Sequence, residues 1–483
     1  MNFDELRKQY DIVPVVRELA ADTLTPVAAF AALSPDDAEA FLFESVERGE
    51  NLGRYSFIGF EPRRSLRFDR STPDPAGLLN AELRPLRVYG EETLPPFFGG
   101  AVGFFGYGVA GWTERIPDSH PDDLGVPEAR LLFFDNVVVF DHVRQRLLVV
   151  ANVFTNDPDA SLESAEARID RAIARLRRAA VDLVEFPRRV EPAEFRSNFD
   201  RAAFEQMVRE AKEEIAAGEI FQIVLAQRWQ TEYPSSEALT LYRALRSINP
   251  SPYLFLLRTP ECTLVGSSPE MLVRVTDGVA ELRPIAGTRP RGATFDEDAH
   301  LEQTLRDDPK ENAEHLMLVD LGRNDLGRVC SSGSVDVHDF AHVERYSHVM
   351  HLVTHVQGRL RDDRTPVDAF LAGFPAGTLT GAPKIRAMEL IDRFETVRRG
   401  PYGGAVAYFG FSGNLDSCIT IRTITLANGR AYVEAGAGIV YDSDPATEYD
   451  ETVNKAKALM NAVSTAKAMS FANRHNPAPA RPV

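Results

Sequence analysis

The 483-residue sequence has few cysteines and no long apolar run, and each shortage excludes a class of protein. The three cysteines, Cys262, Cys330 and Cys418, form no C-x-x-C pair, which argues against a disulfide framework and a cysteine-rich zinc site. The longest apolar runs, such as LLFF before Asp135, are far shorter than the roughly 20 residues that span a bilayer. The polar N-terminus does not read as a secretory signal. We therefore expect a cytoplasmic protein that does not insert into membranes.

Positive charge is also scarce. The sequence has 54 Lys and Arg residues and 71 Asp and Glu residues, which gives a net charge of −17. Such a chain repels phosphate backbones and anionic membranes, so we expect no nucleic-acid partner. A repeated unit of the kind that builds solenoids and propellers is missing as well. What is present is an ordinary globular composition, with 44% hydrophobic and 26% charged residues, which is enough to bury a large core.

Strand-like and helical segments alternate irregularly along the chain. Apolar runs such as YSFIGF, RLLFFDNVVVFD and CITIRTITL each predict a strand, and helical periodicity predicts helices near 161–180, 199–217, 309–322, 382–394 and 445–467. This pattern predicts an α+β fold with large mixed, mainly antiparallel sheets flanked by outer helices. The proline-containing segment VEFPRRVEPAEF predicts a linker. We therefore predict an N-terminal lobe at 1–190, a second domain at 191–470 and a disordered tail at 471–483.

Two of the predicted helices begin with Asp-Pro and carry a pair of glutamates within their first two turns. The members of each pair lie three residues apart on one helical face: Glu311 with Glu314, and Glu448 with Glu451. Four carboxylates at two helix starts suit Mg²⁺, which prefers oxygen ligands. Acidic residues in a first turn also stabilise the helix dipole or complete a capping box, so the pattern by itself leaves both interpretations open.

Five of the ten histidines lie between residues 338 and 355: His338, His342, His348, His351 and His355. A zinc site would need three of them to converge. The alternating, β-branched pattern of YSHVMHLVTHV instead predicts a strand, on which His351 and His355 share one face and His348 points to the other. The pattern therefore disfavours zinc and keeps open a histidine that donates or accepts a proton.

Three further patterns are compatible with ligand binding. Thr378 lies just before a predicted helix, whose exposed N–H groups could bind a carboxylate. Gly436 and Gly438 inside a predicted strand indicate either close approach to a ligand or a β-bulge. Arg422, in the predicted strand CITIRTITL, is expected on one face with Thr420, where it would pair with a carboxylate of the protein or of a ligand.

Longer segments resemble a known family over nearly the whole chain. In chain order they are FLFESVERGENLGRYSFIG, GGAVGFFGYG, NPSPYLF, SSPEML, PIAGTRPRG, AEHLMLVDLGRNDLGRV, YSHVMHL, GTLTGAPKIRAM, RGPYGGAV, CITIRT, EAGAGIV and ETVNKAKA. Together they resemble the chorismate-utilising enzymes, and within them the anthranilate synthase component I family. The resemblance implies that the sheets form a sandwich, that the N-terminal lobe is regulatory and that residues 191–470 bind chorismate.

The resemblance also assigns residues to roles. It places metal-binding glutamates at Glu314 and Glu451, with Glu311 and Glu448 in support, and it makes Mg²⁺ the cofactor. The catalytic residues it implies are Glu270, His351 and Thr378. The substrate-binding residues it implies are Gly287, Thr288, Tyr402, Arg422, Gly436, Ala437, Gly438 and Lys455.

Two positions bear on which reaction the family resemblance implies. Members that add water to chorismate carry a lysine base where this chain has Gln222, and ammonia needs no such base. Relatives that make aminodeoxychorismate carry a nucleophilic lysine where this chain has Ala286. The resemblance therefore implies direct amination of chorismate, with anthranilate and pyruvate as the products of tryptophan biosynthesis. Aminodeoxychorismate synthesis and a non-catalytic tryptophan-sensing subunit are the two alternatives.

The partners follow from the same resemblance. None of the cysteines stands in a nucleophile-elbow sequence, so ammonia is expected from a separate glutaminase subunit in a hetero-oligomer. Members of the family commonly bind tryptophan as a feedback inhibitor. Carried over to this chain, that site would involve Ser45, Pro252, Tyr253 and Leu254.

Overall fold

The computed structural model describes residues 3–35, 38–45, 53–179, 184–345 and 349–475. Within them the helices are α1 (Phe3–Leu6), α2 (Pro26–Leu33), α3 (Pro75–Glu82), α4 (Leu162–Leu176), α5 (Arg201–Ala216), α6 (Ala238–Ile248), α7 (Phe295–Asp307), α8 (Pro309–Gly327), α9 (Pro366–Gly373), α10 (Lys384–Phe394) and α11 (Pro445–His475). The strands before residue 200 are β1 (Ile12–Ala20), β2 (Ala40–Glu44), β3 (Tyr55–Phe60), β4 (Arg64–Phe68), β5 (Gly100–Phe105), β6 (Ala129–Phe134), β7 (Asn136–Asp141), β8 (Arg146–Phe154) and β9 (Arg196–Ser197). The later strands are β10 (Gln222–Glu232), β11 (Tyr253–Arg258), β12 (Thr263–Ser268), β13 (Met271–Thr276), β14 (Val279–Leu282), β15 (Ile285–Pro290), β16 (Asp336–Arg345), β17 (Val349–Arg359), β18 (Gly381–Ala382), β19 (Ala405–Gly410), β20 (Leu415–Ile419), β21 (Thr423–Ala427) and β22 (Arg430–Ile439).

The strands form two large sheets. A twelve-stranded sheet runs β1-β8-β7-β3-β2-β11-β12-β21-β22-β10-β18, with β9 beside β10. A ten-stranded sheet runs β15-β17-β14-β13-β20-β19-β5-β6-β4, with β16 beside β17. Neighbouring strands such as β10 and β22, or β5 and β19, are antiparallel. The α+β class with mainly antiparallel sheets is therefore confirmed.

The two sheets pack face to face as a sandwich around an aromatic core. Phe41 and Phe255 of the twelve-stranded sheet and Phe104 and Val406 of the ten-stranded sheet are buried in one apolar cluster. Helices cover the outer faces. The long helix α11 contacts α5, α6 and β22, and α8 contacts β15 and β17. Burying a sheet face under a helix and the other under a sheet explains why many of these strands are apolar along their whole length.

The predicted boundary at residue 190 does not separate the two sheets. Strands β1, β2, β3, β7 and β8 lie before that boundary and hydrogen-bond, through the β2–β11 pair, into the same sheet as later strands. The ten-stranded sheet likewise joins β5 to β19. The last helix extends to His475, five residues into the segment predicted as a disordered tail, and residues 476–483 lie outside the described part of the chain. No helix in the described residues combines the length and the apolar character that crossing a bilayer requires.

One prediction of secondary structure is wrong in an informative way. CITIRTITL does not form a single strand: it divides into β20 in the ten-stranded sheet and β21 in the twelve-stranded sheet. Arg422 lies between them in the left-handed region, at φ 50°. The expectation that Arg422 shares one strand face with Thr420 therefore does not hold, because the chain passes from one sheet to the other here.

A second crossing runs beside the first. Strand β12 belongs to the twelve-stranded sheet and β13 to the ten-stranded sheet, so the chain crosses between Ser268 and Met271. The two crossings are hydrogen-bonded together: Ser267 N donates to Arg422 O at 3.0 Å, and Ile419 N donates to Glu270 O at 3.0 Å. Glu270 and Arg422 are thus placed side by side by two adjacent strands that change sheets.

Candidate active site

Glu270 lies at the β12–β13 crossing and meets Thr378. The Thr378 hydroxyl, on a short 3₁₀ turn at Gly377–Leu379, donates a hydrogen bond to Glu270 Oε1 at 2.9 Å. Burial of the carboxyl raises the pKa of Glu270 to about 7, against the opposing effects of the Thr378 hydroxyl and the Lys455 charge. Glu270 can therefore hold a proton near neutral pH and give it up, which suits a general acid.

Helix α11 brings a cation and a carboxylate to the same place. Lys455 Nζ donates to the Gly436 carbonyl at 2.9 Å and lies 2.7 Å from Glu451 Oε1, one helical turn away. Arg422 Nη1 donates to the Lys455 carbonyl at 3.1 Å, so the crossing and the helix are tied together. These contacts bring four of the residues singled out by the sequence into one cluster.

The cluster lines an open cleft of about 490 Å³. Its walls include Arg422, Glu451 and Lys455, and its volume is in the range of pockets that take small molecules. Three lining residues were missed by the sequence analysis: Thr447, Asp450 and Asn454. The spacing of Thr447 and Asn454 from Glu451, four and three residues, was the signal that would have placed these two on the same face of the helix, whereas Asp450 is the immediate neighbour of Glu451.

A β-bulge positions the predicted histidine. The register between β15 and β17 shifts between Ala286 and Arg289, and Gly287 adopts φ 66° within the shift. The Gly287 carbonyl accepts a hydrogen bond from His351 Nδ1 at 2.8 Å, and the Thr288 hydroxyl lies 3.2 Å from the same nitrogen. A carbonyl can only accept, so the ring proton is on Nδ1 and Nε2 is the basic nitrogen. Burial lowers the pKa of His351, which favours the neutral ring.

The glycines of β22 do not form a bulge. Gly436 and Gly438 stay in register with β10. A Cβ on Gly436 would lie 3.0 Å from the Tyr402 hydroxyl, and one on Gly438 would lie 3.0 Å from Gln222 Nε2. Ala437 points to the opposite face, into the core beneath α5 and α10, so it can offer a ligand only its backbone.

The two acidic helix starts face each other. The pKa of Glu314 is raised by burial and by the negative charges of Glu311 and Glu451, while the Gln222 amide, 3.4 Å away, lowers it. The pKa of Glu448 is raised by burial and by Glu451. Carboxylates that oppose one another's ionisation are stabilised when a cation binds between them.

These four glutamates have the oxygen donors that Mg²⁺ prefers, although no three of them in the described residues bring carboxylate oxygens within 4.8 Å of one another. Mg²⁺ commonly uses one or two protein carboxylates together with water and substrate oxygens. The donor set at the ends of Glu314 and Glu451 therefore fits such an ion.

The histidine-rich segment is divided between two places. His351 faces Gly287, whereas His342 and His355 gather with Glu344 within 4.8 Å on β16 and β17. Arg283 and His342 both contact the Glu344 carboxylate, which accounts for its charge. His348 lies outside the described residues.

The four residues named for an inhibitor lie at or next to the paired ends of β2 and β11, two central strands of the twelve-stranded sheet. Leu254 pairs with Glu44, which places Tyr253 beside Ser45 at the end of that pairing. The Ser45 hydroxyl is buried without a hydrogen-bond partner in the described residues. The Tyr253 hydroxyl donates a hydrogen bond to Asp416 of β20 at 3.1 Å.

Comparisons with known proteins agree with this geometry. The family model described as chorismate binding enzyme matches residues 38–461. Anthranilate synthase component 1 of Acetivibrio thermocellus is 46% identical over 481 residues, covering 95% of this chain and 97% of the relative. The crystal structure of anthranilate synthase component I from Streptococcus pneumoniae TIGR4 matches with a TM-score of 0.77 at 36% identity, covering 92% of this chain and 99% of that chain.

A more distant structure shares the fold alone. MenF, the menaquinone-specific isochorismate synthase from Escherichia coli, has a TM-score of 0.70 at 20% identity and covers 95% of this chain and 98% of its own. The sandwich is thus common to proteins with different reactions, and sequence identity over the whole length separates them. The chain belongs to the family of chorismate-binding enzymes, and within it to the anthranilate synthase component I group.

Proposed function

We propose that the chain converts chorismate and ammonia to anthranilate, pyruvate and water. The observation that carries the proposal is the contact between the Thr378 hydroxyl and Glu270, whose pKa is about 7, beside the cations Arg422 and Lys455. An acid that is protonated near neutral pH is what the departing hydroxyl of chorismate needs, and two cations suit a dicarboxylate substrate.

The residues around the cleft divide the work. Arg422 and Tyr402 hold the enolpyruvyl carboxylate, with Lys455 as a further cation. Glu270 donates its proton to the leaving C4 hydroxyl while ammonia attacks C2, and Thr378 orients the Glu270 carboxyl. His351, with its proton on Nδ1 and its basic Nε2, assists removal of the ring proton as pyruvate is lost. The Gly436 to Gly438 backbone contacts the substrate.

Magnesium would be held by Glu314 and Glu451, supported by Glu311 and Glu448. When bound, it neutralises the ring carboxylate of chorismate and fixes the orientation of the ring. The mutual repulsion of these carboxylates supports this assignment, since a divalent cation relieves it.

The choice of nucleophile depends on two side chains. Gln222 donates its amide to Glu314 and offers no base that could activate water. Ala286 is buried in the β15–β17 ladder and offers no amine that could attack the ring. Both residues support ammonia as the nucleophile. We propose that a separate glutaminase subunit supplies it in a hetero-oligomer, and that tryptophan inhibits the enzyme at Ser45 and Pro252–Leu254.

The test uses the purified chain with chorismate, Mg²⁺ and excess ammonium, followed by anthranilate fluorescence. We expect fluorescent product from the wild type and none above background from Glu451→Gln. A product that retains its enolpyruvyl group would show aminodeoxychorismate synthesis instead. No turnover by a folded wild-type protein would favour the non-catalytic, tryptophan-sensing alternative.

A further inference from the structure

A buried ion pair contacts the turn that carries Thr378. It joins Glu395, the residue after helix α10, to Arg399, and the two residues are 5% and 3% exposed. Arg399 Nε donates to Glu395 Oε2 at 2.9 Å and Arg399 Nη2 donates to Oε1 at 2.6 Å, so the pair is bidentate. Burying two charges costs free energy, so a pair of this kind is weak evidence for stability, and its contacts show what it holds in place.

The ion pair fills a gap in the twelve-stranded sheet. On the side away from β22, strand β10 pairs with β18 at its start and with β9 further along. Between these two pairings, Arg399 Nη2 donates to the Val224 carbonyl at 2.8 Å, and Glu395 Oε1 accepts from Ala226 N at 2.9 Å. The two side chains therefore satisfy backbone groups of β10 that a neighbouring strand would otherwise pair.

The same guanidinium reaches the turn Gly377–Leu379. Arg399 Nη1 donates to the Leu379 carbonyl at 2.6 Å. Leu379 directly follows Thr378, whose hydroxyl donates to Glu270 Oε1 at 2.9 Å. The backbone contact of Arg399 is therefore one residue away from the side chain that orients the candidate acid.

The guanidinium has little freedom to move. Four hydrogen bonds to Glu395, Leu379 and Val224 hold its plane. Its central carbon also lies 4.6 Å from the ring centre of Tyr107 and 5.6 Å from that of Tyr402. A lysine ammonium is a single point charge on a flexible stem and cannot reproduce this planar fork. Only arginine can thus join the turn, the strand and the carboxylate at once.

We propose that Arg399 is a positioning residue, which holds the Thr378 hydroxyl against Glu270 while Glu395 fixes the guanidinium. This inference rests on the proposed function, in which Glu270 donates a proton to the leaving hydroxyl. Among the described residues Arg399 has no hydrogen bond to Glu270, so its effect on the acid passes through Thr378. Loss of the Arg399 fork should therefore have the same consequence as loss of the Thr378 hydroxyl.

The pH dependence of kcat tests the proposal. Anthranilate formation by the full chain is followed with excess ammonium at saturating chorismate and Mg²⁺. The hydrogen bond from Thr378 lowers the pKa of Glu270, which is about 7, so displacement of Thr378 raises that pKa. We expect the decrease in kcat to move about 0.5–1 pH unit higher in Arg399→Lys, the shift that the loss of one hydrogen bond gives.

Two comparisons separate positioning from a purely structural role. In a Thr378→Val background, Arg399→Lys should add no further shift, because the hydrogen bond through which it acts is already absent. Arg130→Lys is the matched control, since Arg130 of β6 is 9% exposed and paired with Glu261. It should leave the pH dependence of kcat unchanged, and any fall in its Tm measures the cost of changing a buried arginine alone.

A crystal structure of Arg399→Lys gives a readout that does not depend on activity. We expect the Thr378 hydroxyl to lie more than about 3.5 Å from Glu270 Oε1, beyond hydrogen-bonding distance, with both sheets unchanged. If Arg399→Lys does not fold, Glu395→Gln carries both measurements. Its amide keeps the size of the side chain and removes the charge and one of the two oxygens that hold the guanidinium, so its shift should have the same direction.

Several outcomes would overturn the inference. An unchanged pH dependence of kcat in Arg399→Lys, even with a lower Tm, would assign the ion pair a structural role. An intact contact between Thr378 and Glu270 in the crystal structure of the variant would do the same. A further shift in the double variant would show that Arg399 acts on Glu270 by another route. If the wild type makes no anthranilate at all, the proposed function fails, and the crystal structure still decides whether Arg399 positions Thr378.

Discussion

The two acidic helix starts have nearly the same sequence pattern and different electrical surroundings. At the start of α8, Glu311 is paired with Arg289 at 3.1 Å. Glu314, next on the same face, receives the Gln222 amide at 3.4 Å, and its pKa is raised by burial and by Glu311. The first glutamate of this helix is therefore neutralised, and the second remains in need of a cation.

At the start of α11 the order is reversed. Glu451, the second glutamate, is paired with Lys455 at 2.7 Å, whereas Glu448, the first, has its pKa raised by burial and by Glu451. The same spacing thus yields one compensated and one uncompensated carboxylate at each helix, in opposite order. The lesson is that helical spacing places carboxylates on one face, while their neighbours decide which carboxylate is paired with a basic side chain.

The largest expected effect comes from removing one carboxylate from each helix. If Glu314 and Glu451 both bind Mg²⁺, Glu314→Gln and Glu451→Gln should each lower kcat/KM by about a thousandfold or more, since charge stabilisation by the metal is lost. Steady-state anthranilate fluorescence measures this. Asp450→Asn is the matched control, because Asp450 lines the same cleft and its carboxylate is paired with Arg201 at 3.0 Å. A loss in one glutamate variant alone would show that the two helices do not share the ion.

The next largest effect is expected for Glu270, the candidate general acid. Glu270→Gln should lower kcat by about 10²–10⁴-fold, the usual contribution of general acid catalysis. Because the protonated form of Glu270 acts in the wild type, kcat should fall as the pH rises through about 7. This decrease in kcat should be absent from the pH profile of Glu270→Gln. Thr378→Val removes a hydrogen bond that lowers the pKa of Glu270, so the decrease in kcat should occur at higher pH in this variant. A decrease in kcat that stays in place in Glu270→Gln would assign the titration to another group.

A smaller effect is expected when Glu311, the glutamate of α8 that is paired with Arg289, is substituted. Glu311→Gln leaves Arg289 without that partner and weakens the support of Glu314, so the Mg²⁺ concentration for half-maximal activity should rise about tenfold, as for other supporting residues of metal sites. Magnesium titration of the activity measures this, with kcat at saturating Mg²⁺ as the internal control. A kcat loss as large as that of Glu314→Gln would show that Glu311 is itself a ligand.

The smallest expected effect is on stability. The Glu314 carboxylate, which we propose binds the metal, should destabilise the folded protein when the metal is absent. The folded-state pKa of Glu314 is raised, so its ionisation costs free energy once the pH exceeds the usual glutamate pKa, and that cost is complete above the raised value. Without Mg²⁺ at about pH 8, Glu314→Gln should therefore raise Tm by about 1–2 °C, with no gain near pH 4. Glu451→Gln breaks a half-exposed ion pair and should change Tm by less than about 1 °C. Thermal unfolding at about pH 8 and about pH 4 measures these changes in Tm. A lower Tm for Glu314→Gln at about pH 8 would contradict the prediction that ionised Glu314 destabilises the folded protein.

Local patterns were sufficient for several elements of this protein. Asp-Pro followed by glutamates three residues apart predicted the starts of α8 and α11, because capping and helical spacing act within a few residues. The alternating histidine segment predicted β17. The family motifs named residues that the structure brings together, such as Glu270 with Thr378 and His351 with Gly287.

Other features depend on contacts that no local pattern encodes. CITIRTITL alternates like one strand, yet the chain leaves one sheet for the other at Arg422, and only packing of two sheets makes that crossing necessary. Nothing in AYVEAGAGIV showed that Glu434 would be buried directly across the β10–β22 ladder from Arg228. Strands from before and after residue 190 also pair in one sheet, which the sequence pattern did not indicate.

The sequence by itself determined the α+β class, the helix starts and the family, because composition, short-range spacing and long motifs are properties of the chain alone. The tertiary structure decided which carboxylates are compensated, where strands change sheets and which polar groups are buried together. Those properties are set by residues far apart in sequence, and burial and charge act through distance in space.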